Sequence, residues 1–402
     1  MARPALIDKL FQIGKWVFKK ELIPLDDLLG DMAGNGLTVL SNKLNVDFAA
    51  MPKAQIRQLV LGMIQTGGGL MVDSQDKIYF DPESMDTAVF EKMMKTLKLP
   101  IWLTKNTTFY VDKSHANAGN TLIEGRGLSR NLPFASIQPC ISFVCENYNF
   151  ASNIVKIEIN DGVYEEAITL MDYARTTGAL QLWPRNLGST RTVTIRNPAN
   201  THSPTVSVAG TGSYSLYELN VEHVVYPSSS AVYSGAIIAE TACDLLLFGM
   251  SLEIKNAAGA FPDGGRATIS LLSSGGGCLT QIRAGVSLPT LLTTPAQAKE
   301  GVSIVGLQAT ANGTIYLRNG YTISKAICSG HYLYFARANL RGIIALTGSG
   351  DTFSFEVAPG KSVTGQRYDC KDGGSITCRQ GPDYFPGSIA GKVEPESYCS
   401  YL

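Results

Sequence analysis

Carboxylates on predicted strands and turns are the residues of this sequence with the clearest catalytic potential. Hydrolysis of a glycosidic bond needs two of them, about 5 Å apart for retention or about 6.5–9.5 Å apart for inversion. Glu218 and Glu222 flank Asn220 on one face of a predicted strand, as a catalytic pair or as a solvated pair. With Asp244 they are the catalytic candidates, but no spacing selects a pair among the acids of this region. These acids are Asp161, Glu165, Glu166, Asp172, Glu218, Glu222, Glu240, Asp244, Glu253 and Asp263.

Aromatic side chains give a second candidate site, for binding rather than for catalysis. Five of them fall within a 51-residue span that holds few acids: Trp183, Tyr214, Tyr217, Tyr226 and Tyr233. Flat rings with polar tips suit the faces of sugars and the walls of a groove. The alternative is that several of these rings are internal stacks or contacts between subunits.

Metal and cofactor chemistry has no comparable signal. The four histidines, at 115, 202, 223 and 331, have no ligand partner at close spacing, and no HExxH or GxSxG run occurs. None of the eight cysteines forms a CxxC pair, and buried reduced thiols are the expected state. We therefore expect no metal and no cofactor. The role of Cys370, Cys378 and Cys399 stays open at this stage.

Charge and hydropathy exclude several classes of partner. Lys and Arg number 34, equal to Asp and Glu, so the sequence lacks the basic surface that nucleic-acid binding by bulk charge requires. No run of 18 apolar residues occurs, so we expect no membrane insertion. The first four residues lack the apolar core of a secretory signal, which favours synthesis in the cytosol.

The composition changes near residue 105, which indicates two domains of different class. Residues 1–105 hold 25 of the 68 charged residues and eight of the ten methionines, whereas the remainder holds 32 of the 40 glycines. The first part predicts helices over residues 6–17 and 54–65, and a third that begins at Ser84 and runs to Leu97. A β-hairpin is predicted around residues 73–76. The helices have no large joint core, so we expect an oligomerising or docking domain; an ordinary small helical domain is the alternative.

The second part predicts strands throughout. Short runs rich in β-branched and aromatic residues alternate with Gly, Asn, Asp and Ser. Strand-like segments recur every 25 to 36 residues, which is typical of a solenoid. At roughly 25 residues per coil, about ten to twelve coils would form a rod about 50 Å long. A β-sandwich is the alternative that this pattern leaves open.

Residues 109–170 carry the most specific resemblance to a known family. They read FYVD at 109–112, EGRGLSRNLPFASIQ at 124–138 and IEINDGVYEE at 157–166. This run resembles the opening of right-handed parallel β-helix proteins of the pectate-lyase-like class, and within it bacteriophage tailspike and tail-fibre proteins. There it leads into a capping helix and the first coil, so the resemblance implies a structural role for Glu165 and Glu166. Ile137, Ile141 and Val144 form the apolar stripe, after Ser136, that such a helix needs.

The C-terminal segment resembles the closing segment of prophage tail proteins. The matching runs are GQRY at 365–368, GGSI at 373–376, FPG at 385–387 and AGKV at 390–393. The two resemblances bracket residues 109–399. The chain departs from the family pattern by placing three cysteines in the closing segment.

Together these features predict a mainly β chain: a right-handed parallel β-helix preceded by a small, mostly helical N-terminal domain. We expect a helical oligomerisation or virion-docking head at 1–105, a linker and capping helix at 106–150, the β-helix at 151–360 and a closing segment at 361–402. The resemblance implies a homotrimer in the virion tail, attached to the tail or baseplate through residues 1–105 and assembled in the cytoplasm of the bacterial host.

The expected function is recognition of the host cell by binding of bacterial surface polysaccharide. One alternative is a depolymerase that cleaves capsule or O-antigen as a hydrolase or lyase. A second is a monomeric pectate-lyase-like enzyme. The sequence shows no dense acid cluster for the Ca²⁺ that a lyase typically uses, which favours binding over cleavage.

Overall fold

The structure is a computed structural model in which two compact units are described. One unit comprises residues 1–102 and 147–149, and the other comprises 103–146 and 150–402. The described residues are four strands within residues 37–85, and residues 101–401 apart from several gaps. The gaps are 173–177, 189, 229, 259–265, 284, 286–287, 320–324, 347–351 and 379–380.

Among its described residues, the first unit contains two antiparallel hairpins and one short parallel pair. The strands are β1 (Leu37–Leu40) with β2 (Lys43–Val46), β3 (Gly68–Val72) with β4 (Ile78–Met85), and β5 (Ile101–Trp102) with β7 (Tyr148–Asn149). The hairpin predicted around residues 73–76 is confirmed, since Met71 pairs with Tyr79.

The cap predicted at Ser84 falls within a strand, and residues 86–97 of the predicted third helix lie outside the described residues. Ser84 lies within β4, whose pairing extends as far as Gly68 opposite Met85, so strand pairing overrides the local capping signal. The helices predicted for residues 6–17 and 54–65 lie outside the described residues. The docking role of residues 1–105 stays a prediction.

The second unit is built from three parallel sheets that wind around one core. The first sheet contains β6 (Thr107–Val111), β8 (Ile154–Ile159), β11 (Ala179–Pro184), β14 (Ser213–Tyr217), β17 (Asp244–Phe248), β20 (Leu279–Arg283), β23 (Thr314–Arg318), β25 (Ile343–Leu346), β28 (Ser375–Cys378) and β30 (Tyr398–Tyr401). The second contains β9 (Gly162–Glu165), β12 (Val193–Arg196), β15 (Asn220–Val225), β18 (Ser251–Asn256), β21 (Thr290–Thr293), the first part of β24 (Lys325–Ala338) and β26 (Ser354–Val357). The third contains β10 (Ile168–Leu170), β13 (Val206–Val208), β16 (Val232–Ala239), β19 (Ala267–Ser274), β22 (Val302–Ala309), the second part of β24, β27 (Val363–Cys370) and β29 (Lys392–Val393).

Each strand pairs in parallel with the strand one coil later, so the fold is a parallel β-solenoid. This confirms the predicted class and excludes the β-sandwich, whose strands are antiparallel. Within the described part, seven coils place a strand in all three sheets, fewer than the ten to twelve predicted. The first-sheet strands from β8 to β28 begin 25 to 35 residues apart, because loops between strands lengthen most coils. No described helix is long and apolar enough to cross a membrane.

Inward-facing side chains stack in register along the coils. One column of the first sheet runs through six successive strands, and each member is 2% exposed or less: Ile157, Leu182, Leu216, Leu247, Ile282 and Leu317. Burying one such side chain contributes about 1.5–3 kcal/mol relative to leaving it exposed. Columns of this kind stabilise the solenoid and fix which residues face outward.

A helix, α1 (Ile137–Asn147), covers the first coil as predicted. Ile137, Ile141 and Val144 are fully buried against that coil end. Glu166, rather than Ser136, caps the helix: its two carboxylate oxygens accept hydrogen bonds from the backbone N–H groups of Ile137 and Gln138, each at 2.8 Å. The structural role that the resemblance implies for Glu166 is therefore present in the structure.

The opposite end of the solenoid is closed by aromatic packing. Phe385 is 1% exposed and packs against Phe335 and Phe355. The Tyr384 hydroxyl donates to the carbonyl oxygen of Phe353 at 2.8 Å. The FPG run at 385–387 thus belongs to a segment that shields the last coils from solvent.

Candidate functional site

Two of the predicted sugar-binding rings form part of a stack on the outer face of the first sheet. Trp183, Tyr217 and Phe248 occupy successive coils and make up what we call the aromatic stack. The ring centroids of Trp183 and Tyr217 are 3.7 Å apart, and those of Tyr217 and Phe248 are 4.5 Å apart with planes 3° apart. Tyr217 and Phe248 are 8% and 4% exposed.

Both ends of the aromatic stack are covered by cations. The Lys156 ammonium lies 4.9 Å from the Trp183 ring, and the Arg283 guanidinium lies 5.6 Å from the Phe248 ring. A sugar stacks on a free ring face, and here the faces contact one another or a cation. Trp183 and Tyr217 therefore stack on each other outside the coil, and their role in glycan binding stays a prediction.

The remaining predicted rings lie in three different places. Tyr214 is fully buried, and its hydroxyl donates to the carbonyl oxygen of Met171 at 3.0 Å, so its ring cannot meet a glycan in this structure. Tyr233 is 43% exposed on the third sheet, with its hydroxyl 2.8 Å from that of Ser273. Tyr226 follows β15 on the second sheet. The five rings thus do not share one surface.

The three catalytic candidates also lie apart. Glu218 is 2% exposed in the left-handed turn between β14 and β15, at a φ of 49°, where Arg191 is its charged neighbour. Asp244 is exposed at the opposite end of a first-sheet strand. Glu222 faces outward on the second sheet. The three acids therefore occupy a turn between two sheets, the start of a first-sheet strand and the outer face of a second-sheet strand.

Tyr226 lines a cleft on the second sheet, which we call the charged cleft, together with the two cations that bind Glu222. It has a volume of about 350 Å³ and lies across β9, β12, β15 and β18. Its lining residues are Glu165, Arg196, Asn197, Ala199, Val224, Tyr226, Lys255 and Asn256. Its volume lies within the range of small-ligand sites, about 300–1,000 Å³.

A network of alternating charges forms the floor of the charged cleft. Arg196 binds Oε2 of Glu222 through Nε at 2.7 Å and Nη2 at 2.6 Å. Lys255 binds Oε1 of the same carboxylate at 2.9 Å and also contacts Glu253 at 3.3 Å. On the other side, Arg196 lies 3.6 Å from Glu165, which is largely exposed. Strand register explains the network, since Arg196 pairs with Glu165 and with Glu222.

The network holds Glu222 in its ionised form. Burial alone would raise the pKa of Glu222, but hydrogen bonds from Lys255 and Arg196 outweigh that effect and lower it. The hydrogen bond to Glu222 raises the pKa of Arg196 against the opposing effect of burial. A general acid needs a raised pKa, so Glu222 is unsuited to donate a proton near neutral pH.

Burial raises the pKa of two other described carboxyls, and both have structural partners. They are Glu166, which caps α1, and Asp369, whose Oδ2 lies 3.2 Å from Nε of Arg337. Across the described residues, no group of three or more His, Cys, Asp or Glu side chains is arranged to hold a metal ion.

The upper part of the charged cleft holds one aromatic ring and two amide side chains. Tyr226 is half-buried, and no ring contact with another aromatic side chain of the described residues is seen for it. Oδ1 of Asn256 is buried and accepts no hydrogen bond within the described part of the chain. The Asn197 side-chain amide is hydrogen-bonded to the backbone of Val224: it donates to the carbonyl oxygen and accepts from the N–H.

Sequence reasoning missed Arg196, Lys255 and Asn256 as members of this site. Arg196 lies in one outward column with Glu165, Glu222 and Glu253, from four successive coils. Only an alignment of the coils by register would have placed these charges in one column.

The thiols are buried as expected. All eight cysteines are free, and seven are buried, with Cys399 partly exposed. In the closing segment, Cys370 donates to the carbonyl oxygen of Gly374 at 3.2 Å, and Cys378 to that of Gly381 at 3.7 Å. These thiols therefore act as weak donors within the last coils.

Comparison with known proteins gives a single distant likeness to report. No family model matches the chain, and no curated protein matches it. The chain is similar to the crystal structure of the pectin methylesterase from Aspergillus niger in deglycosylated form, at 13% identity, with 75% of this chain and 86% of that chain covered. The TM-score is 0.31, which is too low to support an argument, so the solenoid assignment rests on the strand pairing.

Proposed function

We propose that this chain is a bacteriophage tail protein that binds bacterial surface polysaccharide in the charged cleft. The observation that carries the proposal is Tyr226, half-buried beside a network of Arg196, Glu222 and Lys255 in a cleft of about 350 Å³. An aromatic face with several fixed polar groups is the usual arrangement for a sugar ring and its hydroxyls.

Each part of the cleft has a distinct role in this proposal. The Tyr226 ring packs against the apolar face of a sugar residue. Arg196 and Lys255 donate their remaining N–H groups to sugar hydroxyls. Glu222 holds both cations in place, so their side chains lose little conformational freedom when the glycan binds.

The state of Glu222 supports binding rather than cleavage at the charged cleft. Both oxygens of Glu222 are used by cations, and its lowered pKa makes it a poor general acid. A depolymerase activity would therefore need acids from elsewhere.

The assembly is proposed on the family resemblance of residues 109–170 and 365–393. We propose a homotrimer located in the virion tail, with residues 1–105 attached to the tail or baseplate. Both ends of the solenoid are covered within the chain, as a solenoid requires. The β-helix therefore needs no further domain to shield its ends.

The test uses the full chain and a panel of purified capsular polysaccharides and lipopolysaccharide O-chains. Wild type and Tyr226→Ala would be compared by glycan array and by calorimetry on the strongest ligand. We expect saturable binding by wild type and at least a tenfold loss for Tyr226→Ala, with no new reducing ends after prolonged incubation. New reducing ends would establish the depolymerase instead, and an absence of binding to every glycan would overturn the proposal.

A further inference from the structure

Two cysteines from neighbouring coils lie in direct contact inside the solenoid. Cys243 immediately precedes β17, and Cys278 immediately precedes β20. The N–H of Leu279 donates to the carbonyl oxygen of Cys243 at 2.8 Å, which keeps the two segments in register. The two Sγ atoms are 2.8 Å apart, closer than two sulfurs that only pack against each other.

The backbone spacing allows a covalent bond between them. Strands of neighbouring coils run about 4.8 Å apart, and disulfides join residues whose Cα atoms are about 4.4–6.8 Å apart. A disulfide here needs only a small approach of the sulfurs. The two sulfurs are already in direct contact in the reduced protein.

The polar surroundings favour reaction at Cys278. Its Sγ lies 3.5 Å from Oγ1 of Thr280, which is itself hydrogen-bonded to Ser274 at 3.1 Å. The hydrogen bond from the Cys243 thiol lowers the pKa of Cys278, with Thr280 and Ser274 acting in the same direction against burial. Cys278 is therefore the thiol of the pair that ionises first.

We propose that Cys243 and Cys278 form a reversible disulfide that joins two coils when the protein meets a peroxide. The Cys278 thiolate attacks one peroxide oxygen, which gives a sulfenic acid and, with a proton, one water. The Cys243 sulfur then attacks the sulfenic sulfur, forms the S–S bond and releases the second water. Two thiols lose two electrons and two protons in total, and one hydrogen peroxide becomes two waters.

Access suits a small oxidant. Cys243 is 6% exposed and Cys278 is 1% exposed, so a water-sized peroxide can reach the pair more readily than a bulky disulfide such as oxidised glutathione. The bond would close a loop of about 35 residues, which restricts the unfolded chain and stabilises the fold. The thiols stay reduced in a reducing cytosol and join after exposure to an oxidising medium.

The experiment begins with the reduced full chain, treated with a slight excess of hydrogen peroxide. Thiols would be counted in denaturant, and non-reduced peptides identified by mass spectrometry. We expect the count to fall from eight to six, a Cys243–Cys278 peptide to appear, and the Tm to rise by several degrees. Dithiothreitol should reverse all three changes.

Two variants separate this pair from general oxidation. Cys278→Ser should abolish both the cross-linked peptide and the Tm rise. Cys328→Ser, at another fully buried cysteine, should leave both unchanged. A wild-type count that stays at eight, or oxidation to sulfinic acid without the cross-linked peptide, would overturn the proposal; this result does not depend on whether either variant folds.

Discussion

The aromatic stack and the charged cleft lie on the outer faces of two adjacent sheets and are built from the same coils. In the aromatic stack, Trp183, Tyr217 and Phe248 present ring to ring at 3.7 and 4.5 Å. In the charged cleft, Arg196 and Glu222 alternate in sign and bind side to side at 2.6 Å. In the aromatic stack, the ring faces are covered by neighbouring rings. In the charged cleft, Arg196, Lys255 and the Tyr226 ring line an open surface.

The difference follows from the spacing of the coils. Neighbouring strands are about 4.8 Å apart, which is close to the separation of stacked rings. Rings in one column therefore cover each other and stabilise the rod. Charged side chains form ion pairs through their terminal groups. Arg and Lys have several N–H groups each, so some remain for a ligand. In a solenoid, a run of like rings is a stabilising element, and an isolated ring beside alternating charges is the better candidate for binding.

The largest predicted effect is on the aromatic stack. Tyr217→Ala removes the middle ring and leaves a gap between Trp183 and Phe248, so we expect a loss of about 3–4 kcal/mol in the free energy of unfolding. Tyr217→Phe keeps the ring and should cost less than about 1 kcal/mol. Denaturant unfolding followed by Trp fluorescence measures both. A cost for Tyr217→Ala below that of Tyr217→Phe would contradict a stabilising stack.

The next effect concerns the core beneath the charged cleft. His223 faces inward from β15, is 1% exposed and lies 3.2 Å from the Thr205 hydroxyl. Burial lowers its pKa from 6.5 to about 4, with a smaller effect of His202. Above pH 6.5, His223 is neutral in both the folded and the unfolded chain, so its titration costs no stability there. As the pH falls towards 4, the unfolded chain gains the proton first, and stability falls by up to about 3 kcal/mol.

This pH dependence can be assigned by two substitutions. His223→Gln should remove most of the slope between pH 6.5 and 4 in denaturant unfolding, whereas His202→Gln, at an exposed position, should keep it. An unchanged slope in His223→Gln would show that other groups produce the acid sensitivity.

A smaller effect is expected from the charge network itself. Glu222→Gln leaves Arg196 and Lys255 without their shared carboxylate in a partly buried site, so we expect a loss of about 1–3 kcal/mol. Glycan binding should weaken as well, because the two cations lose their fixed positions. Glycan binding and stability both at wild-type values would mean that the network does not organise the cleft.

The smallest effect is at the exposed end of the same network. The Glu165 side chain is 68% exposed and 3.6 Å from Arg196, so Glu165→Gln should change stability by less than about 1 kcal/mol. Raising the salt concentration should diminish this small difference further, because exposed pairs are screened. If Glu165→Gln lowered the free energy of unfolding as much as Glu222→Gln does, the exposed and the buried carboxylate of the network would be equivalent, which contradicts this prediction.

Sequence reasoning predicted the solenoid because its repeat and its buried strand patterns are local. It also predicted the capping helix, since Ile137, Ile141 and Val144 form a stripe at helical spacing. It did not find the cap supplied by Glu166, which lies 29 residues from Ile137. It also could not separate Tyr217, in the stack, from Tyr226, in the cleft, because that distinction depends on register between coils.

Whether the glycan binds in the charged cleft is tested most directly by comparing Tyr226→Ala with Trp183→Ala. The quantity measured is the affinity of each variant for the surface polysaccharide that wild type binds most tightly. We expect Tyr226→Ala to weaken binding at least tenfold with little change in stability. Trp183→Ala should lower stability and leave affinity within about twofold when measured on folded protein. The reverse outcome, with affinity lost in Trp183→Ala and kept in Tyr226→Ala, would place the glycan on the aromatic stack and contradict the account.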